Sequence, residues 1–220
     1  MTFTAREKRL IARLKTPLDV QLYLNELPYN QEPHGRATLR SFRGVVQHGS
    51  AHCLEAALFA AVVLEQHGYP PLLLSFESID ALDHVIFVYR QRHRWGSVAR
   101  SRDPGLHGRR PAFATSRALA MSYFDPYVDF TGRVIGYVVV NIAELMGAYD
   151  WRLATTNVWK VERVLLDHRH HRIVSSNRRV ARLRTWYRAF RREHPGRRPV
   201  EYRGRERWMP LPSEFDYDAR

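Results

Sequence analysis

Apolar positions recur at three- and four-residue intervals over the first 68 residues, and the alternating or continuous runs that follow to about residue 101 have the period of strands. Residues 4–16 place Leu10, Ile11 and Leu14 on one helical face. Residues 16–27 form a second short helix, with Thr16 as N-cap and Pro17 at the first helical position, where a missing N–H costs nothing. Residues 28–35 read as a loop and 37–47 as a third short helix ending near Gly49. An alanine-rich amphipathic helix then starts at Cys53, with Leu54, Leu58, Ala61, Val62 and Glu65 at helical spacing and Ala57 and Leu64 widening the apolar side. Gly68 stops it and Pro70-Pro71 prevents resumption. Strands are predicted over 72–79, 84–91 and 94–101, the last two joined by the short polar RQRHR. A helix over 115–130, capped by Thr115 or Ser116, a β-rich strand over 133–142 and helices over 157–168 and 177–194 complete the pattern. The end of the chain, from residue 195, looks irregular. Helices, then mostly antiparallel strands, then helices predict an α+β fold rather than alternating βαβ units.

Charge changes this picture in one place. The net charge of +13 comes from 35 basic and 22 acidic residues. Residues 1–150 hold 17 basic and 14 acidic side chains, and residues 151–220 hold 18 and 8. The expected organisation is therefore a core over 1–150 that includes the N-terminal helices, and a basic helical extension over 151–220 packed on it. The opening MTFTAREKRLIARLKTP lacks the apolar core of a signal peptide, and no run of about 18 apolar residues could span a membrane. The expectation is a cytoplasmic protein with no membrane contact and a reduced thiol.

That thiol is Cys53, alone in 220 residues. Unpaired N–H groups and the positive dipole end at a helix start favour thiolate over thiol. A thiolate nucleophile needs an imidazole, and His84 opens the strand at 84–91. The imidazole needs a group to fix its tautomer, and Asp103 follows the next strand. Cys53, His84 and Asp103 are thus the candidate catalytic residues, in the working order of a thiol nucleophile, with no cofactor or metal required. The His84-to-Asp103 gap is long. If the RQRHR turn is tight, Ser101 or Arg100 faces His84, and Ser101 or a backbone carbonyl could orient the ring instead.

The pieces AHCLEAALFAAVVLEQHGYPP, DHVIFVYRQRHRWGS and RDP, in that order, resemble the bacterial transglutaminase-like proteins, a branch of the papain-like cysteine enzymes. The resemblance covers roughly residues 30–130. It implies a papain/transglutaminase-like fold, with the cysteine-bearing helix packed on an antiparallel sheet. It also implies a hydrolase or acyltransferase that uses the Cys53–His84–Asp103 triad on an amide, peptide or thioester substrate.

Other readings compete. Cys53 could be an apolar filler, and the chain a non-catalytic transglutaminase-like interaction module. His52 reads as a cap or rim residue, because neighbours on a helix point about 100° apart. Gln47 is a candidate oxyanion-hole amide, and Trp95 a hairpin-packing aromatic. His168, His170 and His171 fit no zinc-ligand spacing. The stripe Val180, Leu183, Tyr187 and Phe190 predicts a packed helix whose arginine-rich outer face could meet an acidic protein or bind nucleic acid weakly and non-specifically.

Overall fold

The computed structural model describes residues 2–32, 35–81 and 83–195; the end read as irregular lies, from residue 196, outside the described residues. The first two helices, α1 (Ala5–Arg13) and α2 (Pro17–Glu26), each begin with a capping box: Thr4 with Glu7, and Thr16 with Asp19. α3 (Phe42–His48) is shorter than its apolar pattern suggests, because Ser41 caps it and residues 37–41 are extended; it ends at Gly49, whose φ of 64° favours glycine.

The cysteine-bearing helix α4 (Cys53–Glu65) departs from the amphipathic expectation. Every residue from Leu54 to Leu64 is buried, so it is a central helix, apolar on all sides. α2 and α3 cover it on one side and β1 (Leu72–Ser78) and β2 (Val85–Gln91) on the other. Its two glutamates are both paired within the fold: Glu55 is fully buried, and Glu65 meets the Arg152 guanidinium at 2.6 and 2.7 Å.

A two-residue turn at Arg92 and His93, both with positive φ, joins β2 to β3 (Arg94–Val98) and keeps Phe87 opposite Val98. β4 (Arg109–Phe113), which the sequence pattern does not reveal, pairs with β3 at the sheet edge. The helix expected over 115–130 is two: α5 (Ser116–Met121) and α6 (Phe124–Tyr127). Pro126 lacks the N–H that a continuous helix would need, so the chain restarts and places the proline in a first turn. β5 (Val134–Asn141), α7 (Ile142–Met146), α8 (Trp159–Asp167), the two-residue β6 (His171–Arg172) and α9 (Asn177–Glu193) follow.

The sheet order is β4-β3-β2-β1-β5-β6, antiparallel throughout. Leu73, Val85, Phe87 and Val140 face α4 and its neighbours, while Leu74, Phe76, Ile86 and Val88 face α5, α6 and α9. The fold is therefore α+β with helices on both faces of the sheet. Residues beyond 150 enter both cores: Trp151 and Leu165 on the first face, and Val180, Leu183 and Tyr187 of α9 on the second. Part of the positive charge on α9 is used internally, with Arg179 bonded to Asp125 at 2.5 Å and Arg191 lying over the Tyr187 ring. Among the described residues no helix is long and apolar enough to cross a membrane.

Candidate active site

Cys53 is the first residue of α4 and is half-buried. The loop before α3 clamps the chain just ahead of it: Asn30 N–H donates to the Ala51 carbonyl at 3.1 Å, and Ala51 N–H to that of Pro28 at 3.3 Å. This clamp sets Tyr29 beside the helix start, on the same cavity wall as Cys53. Burial pushes the Tyr29 hydroxyl well above the usual tyrosine range, and the Cys53 charge adds to that.

Two imidazoles, those of His52 and His84, line the cavity beside the Cys53 thiol. Burial works against its ionisation, but the hydrogen bonds from His52 and then His84, together with the charge on each ring, outweigh it and pull the thiol down to about 5. His52 is the N-cap and is extended (φ −90°, ψ −178°). Its Nε2 lies 2.9 Å from the Thr38 carbonyl and 3.6 Å from Glu55 Oε1. His52 is thus the cap its position suggests, and its ring also lines the cavity beside the nucleophile.

His84 is 4% exposed and immediately precedes β2; its carbonyl accepts the Phe76 N–H at 2.9 Å, so the ladder reaches it. The ring packs against Phe76 and Tyr123. Nε2 sits 3.1 Å from the Leu106 carbonyl, which can only accept, so Nε2 carries the hydrogen. Nδ1 is left as the nitrogen with a lone pair for the thiol in the neutral ring.

Leu106 belongs to a 3₁₀ turn (Pro104–Leu106) between β3 and β4. Asp103 immediately precedes that turn, lines the same cavity, and donates its backbone N–H to Ser101 Oγ at 3.1 Å. The structure thus brings Cys53 and His84 together, with the Leu106 carbonyl at the far side of the imidazole and Asp103 on the cavity wall.

The thiol opens into a cavity of about 700 Å³. Its walls carry six carboxylates, those of Glu32, Asp80, Asp83, Asp103, Asp129 and Glu162, against two arginines, Arg102 and Arg191. This inverts the balance of the chain. Ser78 holds part of the acidic wall in place, its N–H donating to Asp83 at 2.9 Å and its hydroxyl to Asp80 at 2.7 Å. Tyr127, hydrogen-bonded to Ser78 and raised above the usual tyrosine range mainly by burial, feels Asp80, Asp83 and Cys53 together.

The remaining candidates fall elsewhere. Gln47 is exposed on α3 and is not part of the cavity wall, so the structure does not support it as an oxyanion-hole amide. Trp95 packs at the β3 edge under Arg90. His170 Nδ1 donates to the His168 carbonyl and His171 packs on Tyr137. No group of three or more His, Cys, Asp or Glu among the described residues is placed to hold a metal ion.

No protein-family model matches the chain, and no curated protein matches it. Solved structures with a distant likeness include LapG of Legionella pneumophila, 12% identical over 68% of this chain and 88% of that one, with a TM-score of 0.39. The EGTA-treated form of the same protein is 14% identical over the same shares, at 0.37. The calcium-bound form is 18% identical over 44% of this chain, at 0.33, and the match spans 65% of that structure, just under two thirds.

Proposed function

We propose that the protein is a cysteine-dependent hydrolase or acyltransferase of the transglutaminase-like class, acting on an amide or thioester. The observation that carries this reading is the lone thiol at a helix start, flanked by two imidazoles on the wall of one cavity, with the thiol pulled down by both rings. Cys53 Sγ attacks the acyl carbon as a thiolate, its proton held by the imidazole pair of His52 and His84, from which His84 can pass one on. The carbonyl oxygen of the tetrahedral intermediate falls at the helix start, where the Cys53 N–H and the Tyr29 hydroxyl can donate to it. As the C–N or C–S bond breaks, His84 returns the proton to the leaving group, and water or an amine then takes the acyl group from Cys53. The Leu106 carbonyl orients His84, and Asp103 contributes negative charge from the wall. Asp103→Asn is accordingly expected to cost no more than about tenfold in kcat, far less than loss of a general base.

The test uses an activated ester and a panel of peptide amides, with intact-mass spectrometry of the protein during turnover. The expected result is one acyl group on Cys53 of the wild type and none on Cys53→Ser. Turnover that survives Cys53→Ser would exclude the reading. The acidic walls add a prediction about preference. Substrates with Arg or Lys beside the acyl group should show a KM about tenfold below that of their Glu counterparts, and the gap should close as salt screens the wall. Equal KM values at low salt would rule this preference out.

A further inference from the structure

We propose that His52, backed by Glu55, is a positioning residue that helps to keep the Cys53 sulfur ionised, beside the contribution of His84. The catalytic consequence rests on the reading above, but the ionisation of the sulfur can be measured without any substrate.

The geometry behind His52 differs in kind from that behind His84. The Thr38 carbonyl fixes a hydrogen on His52 Nε2 in every protonation state, and Glu55 Oε1 lies 3.6 Å from the same nitrogen. Glu55 is 0% exposed and accepts four hydrogen bonds: from Asn30 Nδ2 at 3.0 Å, Thr38 Oγ1 at 2.9 Å, Arg40 N–H at 2.9 Å and His52 N–H at 3.1 Å. A carboxyl surrounded only by donors is an ionised one. The ring of His52 is thus held between a buried negative charge and the sulfur. His84 Nε2 instead faces a carbonyl dipole.

Apart from the two imidazoles, the groups around the thiol bring little positive charge to it, and Arg191 on the cavity wall lies over the Tyr187 ring. The loop before α3 brings Tyr29 and Glu32, the β1–β2 loop Asp80 and Asp83, α6 brings Tyr127 and the stretch after β3 brings Asp103; the carboxylates among them oppose a thiolate. Arg102, from the same stretch, is exposed to solvent, and Arg40 is turned toward Glu55 at 3.9 Å.

His52 and His84 both favour the thiolate, each through a hydrogen bond and through its charge. Burial opposes a charged His52, but the hydrogen bond and charge of Cys53, the charge of Glu55 and the Thr38 carbonyl raise the ring to about 9. The Cys53 shift is opposite in sign, so thiolate and imidazolium coexist from about pH 5 to about pH 9. Below that window the sulfur takes up a proton, and above it the ring releases one.

The full chain has one cysteine, so the difference in absorbance near 240 nm between the protein and its Cys53→Ser variant reads the Cys53 thiolate with no background from other thiols. In His52→Gln the titration should move up by about two pH units, which lowers the thiolate fraction at about pH 6 roughly tenfold. The shift in His84→Ala should be smaller. The reciprocal measurement keeps His52 and the N-cap in place: NMR of the His52 ring in Cys53→Ser should show it deprotonating more than about one unit below the wild type, as linkage requires. A His52→Gln titration that matches the wild type, or a His52 ring indifferent to Cys53→Ser, would overturn the proposal. If the sulfur depends on His52 while no substrate is turned over, the catalytic reading fails and this inference stands.

Discussion

His84→Ala is expected to lower kcat by about 10³-fold, within the range of about 10²–10⁴ found for loss of a general acid–base. The ring lies beside the thiol on one side and against the Leu106 carbonyl on the other, so it is placed to carry the proton between sulfur and leaving group. The fold should survive. The imidazole lies against Phe76 and Tyr123 at the end of β2, while the backbone carbonyl that closes the ladder remains in place. Steady-state kinetics beside a melting curve separate the two effects. A fall of less than about tenfold with an intact fold would remove His84 from the chemistry.

Glu55→Ala should have the largest effect on stability, about 3–5 kcal/mol, the cost of removing one partner from a buried charged network. The substitution leaves a buried Asn30 amide and the N–H groups of Arg40 and His52 without their acceptor, and it frees the Thr38 hydroxyl. These donors come from the loop before α3 and from the start of α4, so the cavity wall and the nucleophile lose their common anchor. A domain of this size shifts by about 2–4 °C per kcal/mol, which gives a fall in Tm of roughly 10 °C. Urea denaturation gives the free energy directly. A loss below about 1 kcal/mol would show that water satisfies these groups and that Glu55 is not structural.

The parts of this architecture legible in the sequence are those set by local chemistry. Thr16, Pro17, Gly49 and Gly68 mark helix ends, and the RQRHR turn fixes the β2–β3 register. Continuing that register from Phe87 opposite Val98 puts Ser101 across from His84 and Asp103 two residues beyond. This is why a carbonyl further along, that of Leu106, reaches the ring. A backbone carbonyl leaves no trace in residue types, so its role was open until the fold was seen. His52 was passed over by a rule that does not apply to it: the 100° separation holds within a helix, whereas His52 precedes α4 in an extended conformation that lets its side chain lie along the cysteine's. A signal was present in H-C-L-E, where a glutamate at the third helical position returns to the cap. The buried Glu55 carboxylate could not be inferred, because Asn30, Thr38 and Arg40 are 25, 17 and 15 residues away. β4 escaped notice because Arg109-Arg110-Pro111 has no apolar alternation, and a proline in a strand is tolerated at an edge such as this one.

The claim that Cys53 is an activated nucleophile paired with His84 is tested most directly by the rate of iodoacetamide alkylation of the native protein from pH 5 to pH 9, in the wild type and in His84→Ala. With the thiol pulled down to about 5, the wild type should label readily at pH 6 to 7, and the profile of the variant should move to higher pH. A native protein that labels only after unfolding, or a profile unchanged by the loss of His84, would contradict the account.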